Sequence, residues 1–107
     1  MSSPEVSVSE LARLRAAGAV SLVDVRNPDE YATAHVPDAR LLPLPQVPDR
    51  LAEFPKDHPV HVICASGGRS SRVVAFLREH GIDAINVAGG TYAWIDAGYE
   101  VATGDPS

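Results

Sequence analysis

The chain has one cysteine, Cys64, and one lysine, Lys56, in 107 residues. A single thiol closes no internal disulfide. Neither a CxxC pair nor a Cys/His cluster is present to hold zinc. Nine Lys and Arg residues against fourteen Asp and Glu leave a formal charge of -5, so there is no basic field for nucleic acid or an anionic membrane surface. Apolar runs are short, and none has the length that spans a bilayer. The first thirty residues lack the apolar core of a secretory signal. No solenoid-length repeat is visible. These absences leave a cytoplasmic, soluble globular domain as the expectation, with no nucleic-acid or membrane partner.

What remains is enough for one domain. A chain of this length buries a real core without covalent staples, and 45% apolar with 21% charged residues is an ordinary globular mixture. The ordered core is expected over about residues 6–101 of a single domain, 1–107, with Met1–Glu5 and Ala102–Ser107 frayed. In "VSVSELARLRAAGA", Ser7 or Ser9 can cap a helix, Ser7 and Glu10 have capping-box spacing, and Gly18 can stop it. "VSLVDV" is a short β-branched run suited to a strand covered on both faces. In "NPDEY" Asn27 can cap a second helix, with Pro28 at its first position.

The four prolines of "HVPDARLLPLPQVP" exclude a long regular element but allow a brief strand near Ala39–Leu42. "QVPDRLAEF" can hold a short helix. "PVHVICA" is a strand, and "SSRVVAFLREHG" is a helix with Val73, Val74, Phe76 and Leu77 as its apolar stripe. "DAINV" is another strand, and "GGTYAWIDAG" a helix capped by Thr91 with Trp94 and Ile95 inward. Strands alternating with helices at this spacing give an α/β fold: a mainly parallel sheet with helices on both faces. Ligands of such sheets bind at the carboxyl ends of the strands. Cys64 falls at one of those ends.

The loop that follows it, "CASGGRSS", has the makings of an anion cradle. Gly67 and Gly68 permit backbone angles that let successive N–H groups face one centre. The next helix adds unpaired N–H groups and the positive end of its dipole. Arg69 adds a permanent charge. A thiol facing that centre is acidified, and its thiolate is the reactive form. The plain alternative is a small buried hydrophobe beside an ordinary strand-to-helix turn.

Four segments in order resemble the single-domain rhodaneses, the thiosulfate sulfurtransferase-like family, over nearly the whole chain. They are "LVDVRNPDEY", "AHVPDA", "CASGGRSS" and "NVAGGTYAWIDAGYEV". Ala34 and Asp38 replace both glycines usual in the second segment, so a differently shaped turn is expected there. The resemblance implies a rhodanese-like sheet of about five strands. It also implies a covalent mechanism without metal or organic cofactor. The Cys64 thiolate takes the outer sulfur of a small anionic donor such as thiosulfate, or of a persulfide, and passes it to cyanide or a thiol. A protein sulfur donor or acceptor is also possible on this reading. Ala65, Ser66, Gly67, Gly68, Arg69 and Ser70 form the substrate-binding loop, with Arg69 orienting the donor's anionic group or, alternatively, shaping the loop.

Asp24, Arg26, Glu30 and His35 are expected to position neighbouring loops. Glu30 can cap its helix or pair with Arg26. His35 has no second ligand at metal spacing. His61 is expected to be partly covered, and His58 and His80 exposed.

Two other functions compete. Phosphatase and arsenate reductase loops resemble Cys-x5-Arg, whereas four residues separate Cys64 from Arg69 here, a ring suited to one sulfur atom. A sulfur carrier or partner-binding module with little thiosulfate turnover is the other reading.

Overall fold

The structure, a computed structural model, describes residues 4–105. The β-branched runs form the parallel strands β2 (Leu22–Asp24), β4 (Val60–Ile63) and β5 (Ala84–Val87). Two-residue strands β1 (Glu5–Val6) and β3 (Arg40–Leu41) complete one sheet in the order β1-β5-β4-β2-β3, every pair parallel.

Side chains of successive residues leave a strand on opposite faces, and the two halves of the core follow from this. Val60, Val62 and Cys64 join Val73, Val74 and Leu77 of helix α3 (Gly68–Glu79) on one face. The 3-10 segment Leu44–Glu53 covers the same face through Val47. On the other face Ile63 joins Leu11, Tyr31 and Trp94, which belong to α1 (Val8–Ala17), α2 (Pro28–Thr33) and α4 (Gly90–Asp96).

This arrangement fixes where a ligand can sit. From the carboxyl end of β2 the chain leaves to α2 on one face, and from the end of β4 to α3 on the other. β2 and β4 are neighbours, so their outgoing segments part and open a crevice between them. Such a switch point is where open α/β sheets bind ligands. Cys64 stands on one side of it and Asp24 on the other.

Several local expectations need correction. Glu5 lies in the edge strand, paired with Asn86, and Ala102 exchanges backbone hydrogen bonds of 2.9 and 2.8 Å with His35. Of the segments expected to fray, Met1–Ser3, Pro106 and Ser107 lie outside the described residues. The N-cap of α4 is Gly89, not Thr91. Ile95 is exposed while Trp94 is buried. On so short a helix Thr91 and Trp94, three apart, share the inward face, and Ile95 turns away from it. His61 is buried rather than partly covered, whereas His58 and His80 are exposed.

Asp38 has φ +72°. In the turn where glycine was missing, an Asp takes up the left-handed conformation itself, which Asp tolerates better than most residues.

Candidate active site

Cys64 is one residue beyond β4, and its side chain is buried. The chain then curls through Ala65, Ser66 and Gly67 into α3. Gly67, at φ +104°, is the residue from which α3 starts. Its N–H donates to Cys64 Sγ at 3.1 Å, and the Ser70 hydroxyl lies 3.3 Å from the same sulfur. Ser66 and Gly68 are exposed, Arg69 is partly exposed, and Ala65 and Ser70 are buried.

Burial pushes the Cys64 thiol up. Against this stand the Ser70 hydroxyl and the N–H groups of Ser70, Gly67 and Ser66, all directed at the sulfur. Together they outweigh burial, and the thiol lies below its ordinary value.

The loop keeps this shape because its carbonyls are held from outside. The first residues of α4 donate to them: Thr91 N–H and hydroxyl to the Cys64 carbonyl at 2.9 and 3.1 Å, and Tyr92 N–H to the Ala65 carbonyl at 3.0 Å. With the carbonyls drawn toward α4, the N–H groups are free to face the sulfur. Gly90 sits at the closest approach, with φ +61°.

Asn86, on β5 and buried, braces the other side. Its Nδ2 donates to the Gly67 carbonyl at 3.4 Å, and its Oδ1 lies 2.6 Å from the Ser70 hydroxyl. That hydroxyl has one proton and two acceptors, Asn86 Oδ1 and Cys64 Sγ. A hydrogen bond to an ionised acceptor is about twice as strong as one between neutral groups, so ionisation of Cys64 draws the proton to sulfur. Replacement of Ser70 by Ala is expected to raise the thiol pKa and slow alkylation by iodoacetamide at neutral pH several-fold. A pH–rate profile measures both; an inflection unmoved by the substitution contradicts the role given to Ser70.

Asp24 and Arg26 are both buried and form a closed unit. Arg26 Nε and Nη2 donate to the Asp24 carboxylate at 2.8–3.1 Å, and Nη2 also donates to the Ala34 carbonyl at 2.8 Å. A buried ion pair adds little net stability, but losing one partner costs about 3–5 kcal/mol. What the pair supplies is position: it ties the end of β2 to the end of α2.

His35 is not at the sulfur. Its Nδ1–H donates to the Tyr31 carbonyl at 2.7 Å, and its ring stacks on Tyr31 at 3.6 Å.

Glu30 accepts the Asn27 N–H at 3.0 Å, which caps α2. Its ion-pair partner is Arg69, not Arg26. Arg69 Nη1 and Nη2 donate to Glu30 Oε1 and Oε2, each at 2.9 Å, across the crevice. The hydrogen bonds from Arg69 hold the Glu30 carboxyl down to about 2, against the opposing effect of burial. Arg69 is raised in turn by Glu30 first and by the nearby Cys64 to a smaller extent. The pair is about one-third exposed, so it contributes at most about 1 kcal/mol to the fold.

The sequence reading missed Asn86, Gly90 and the Glu30–Arg69 pair, and gave Thr91 a helix cap where it holds the Cys64 carbonyl. A polar residue inside the buried run "DAINV" was the available sign of Asn86. Among the described residues, no group of three His, Cys, Asp or Glu side chains could hold a metal. No helix there is long and apolar enough to cross a membrane.

Comparison with known proteins bears on this geometry. The model of the rhodanese-like domain matches residues 7–97. A sulfurtransferase of Allochromatium vinosum is 41% identical over 83 residues, covering 77% of this chain and 78% of that one. The thiosulfate sulfurtransferase GlpE of Stutzerimonas stutzeri is 35% identical over 82 residues, covering 76% and 74%. Among solved structures, a rhodanese-like domain protein from Staphylococcus aureus superposes with a TM-score of 0.83 at 40% identity, covering 94% of this chain and 99% of that one.

Proposed function

The chain belongs to the rhodanese-like domain family of sulfurtransferases, and on that premise we propose that it moves a sulfane sulfur through a persulfide on Cys64. The observation that carries this reading is the convergence of the Gly67 N–H and the Ser70 hydroxyl on the Cys64 sulfur.

The Cys64 thiolate attacks the outer sulfur of the donor. A new S–S bond forms at Cys64, the donor's own S–S bond breaks, and sulfite (from thiosulfate) or a thiolate (from a persulfide) leaves with the electron pair. The terminal sulfur of the Cys64 persulfide carries the negative charge. Donors fixed before the reaction stabilise such charge without reorganising, as an oxyanion hole does for oxygen. The donors at hand are the N–H groups of Ser66, Gly67 and Ser70 and the Ser70 hydroxyl, which surround Sγ of the resting thiol and to which the terminal sulfur adds as a neighbouring acceptor. In the second half-reaction an acceptor thiolate or cyanide takes that sulfur, and Cys64 returns as a thiolate. Neither half-reaction calls on a cofactor.

The placing of Arg69 weighs against phosphoryl chemistry. An arginine that serves a phosphoryl group points its planar donor fork at the oxygens; this one points its fork at Glu30.

A covalent intermediate makes the kinetics ping-pong. Initial rates against donor at several fixed thiol concentrations are expected to give parallel double-reciprocal lines, with a persulfide donor or with thiosulfate. Lines that converge mean direct transfer in a ternary complex and contradict the reading. A carrier or delivery module is distinguished by the acceptor: a protein persulfide loads Cys64 fast, but turnover to cyanide or a small thiol is slow with every donor.

A further inference from the structure

Arg69 is the one cation of the Cys64 loop, yet both of its outer nitrogens are already bonded to Glu30. The match is fork to fork, each nitrogen to its own oxygen. Glu30 is itself held in place, because the N–H of Asn27 fixes Oε1 at the start of α2. Arg69 is held from the other side by its place in the first turn of α3. The two helices start on opposite sides of the switch point, so the pair spans the entrance. An anionic donor that uses the Arg69 guanidinium must first take it from a carboxylate whose geometry is already satisfied. A donor with no oxyanion beside its reacting sulfur makes no such demand.

We propose that Glu30 is a specificity-determining residue: by occupying Arg69, it turns the entrance toward sulfane-sulfur donors that carry no anionic group beside the reacting sulfur, such as an alkyl or protein persulfide, and away from thiosulfate. The inference rests on the sulfurtransferase reading for the identity of the donor, but the charge gate itself is a property of access to Cys64.

Iodoacetate and iodoacetamide test the gate without sulfur transfer. They differ only in carboxylate against amide, and both alkylate the thiolate with loss of iodide. The ratio of their rates cancels any change in how much thiolate is present. The four proteins compared are the native chain, Glu30→Gln, Arg69→Gln and the double variant. Glutamine at 30 still accepts the Asn27 N–H, so α2 keeps its cap.

With Arg69 present, Glu30→Gln is expected to raise the iodoacetate-to-iodoacetamide ratio about tenfold, because the guanidinium loses its charged partner and one of its two acceptors and turns to the reagent's carboxylate. In the Arg69→Gln background the same substitution removes only a repelling charge, and the rise is about threefold or less. The excess shrinks in about 1 M salt, where the screening length is about 3 Å.

A ratio unmoved by Glu30→Gln in the folded protein overturns the proposal. So does an equal rise with and without Arg69, which means that Glu30 merely repels anions. If the variant cycle behaves as expected while no persulfide forms with any donor, the gate stands and the sulfurtransferase reading falls. If persulfide forms and the cycle is flat, the reverse holds. In the transfer assay, Glu30→Gln is expected to lower the KM for thiosulfate while leaving that for an alkyl persulfide, which has no oxyanion beside the reacting sulfur, within about twofold.

Discussion

Replacement of Cys64 by Ser is expected to lower sulfur transfer by about a thousandfold or more, since the step it removes is the formation of the covalent intermediate itself. The fold is expected to survive. Serine differs from cysteine by one smaller atom at a buried position. The Gly67 N–H and Ser70 hydroxyl that face the sulfur can bond an oxygen in the same place. A hydroxyl there ionises far less readily than a thiol and is a poor nucleophile toward sulfur. Circular dichroism and a thermal melt establish that the variant is folded, and steady-state turnover with thiosulfate and with a persulfide donor measures the loss. Residual turnover above a few per cent of native contradicts covalent transfer through Cys64.

Gly90→Ala is expected to be the most damaging small substitution in the chain. A Cβ there lies 2.5 Å from the Cys64 carbonyl oxygen, 2.6 Å from that of Ala65 and 2.7 Å from the Ala65 carbonyl carbon. All three are backbone atoms, so no side chain can swing aside. The position is also left-handed, at φ +61°. Either α4 or the Cys64 loop must move, and the bonds from Thr91 and Tyr92 that hold the loop carbonyls are lost with it. The expected cost is about 3 kcal/mol or more, which for a domain of this size lowers the unfolding midpoint by roughly 12 °C or more. The pH–rate profile of Cys64 alkylation is expected to shift upward as well, because the N–H groups no longer converge. Gly68→Ala is the control. Its Cβ meets nothing within 4 Å and its φ is not left-handed, so the midpoint should hold to within a few degrees. Equal effects at the two positions contradict the account of how the loop is held.

The contrast between these glycines shows what could be read in the sequence. "CASGGRSS" was legible because its chemistry is local: a thiol, permissive backbone and a helix start within eight residues. Strands β2, β4 and β5 were legible because they are covered on both faces, which demands near-continuous apolar runs. β1 was not, since two residues at a sheet edge carry no periodicity. The start of α4 was misplaced for a related reason. Its cap is Gly89 at φ +80°, and Thr91, which looks like a cap, instead gives its hydroxyl to the loop.

Long-range pairing was the least legible. Glu30 and Arg69 are 39 residues apart, and the sequence offers each a different partner, Arg26 for Glu30 and the anionic donor for Arg69. Only the topology, which starts α2 and α3 on opposite sides of one crevice, brings them together. The same holds for Asn86, whose polar side chain in a buried run signals that something needs it but does not say what.

The central claim is that Cys64 carries the sulfur. Intact mass without reductant, after incubation with thiosulfate and separately with a persulfide donor, tests it most directly in the native chain and in Cys64→Ser. The account predicts a gain of one sulfur atom in the native chain alone, reversed by cyanide or a thiol. The same gain in Cys64→Ser, or no gain in the native chain with either donor, would contradict it.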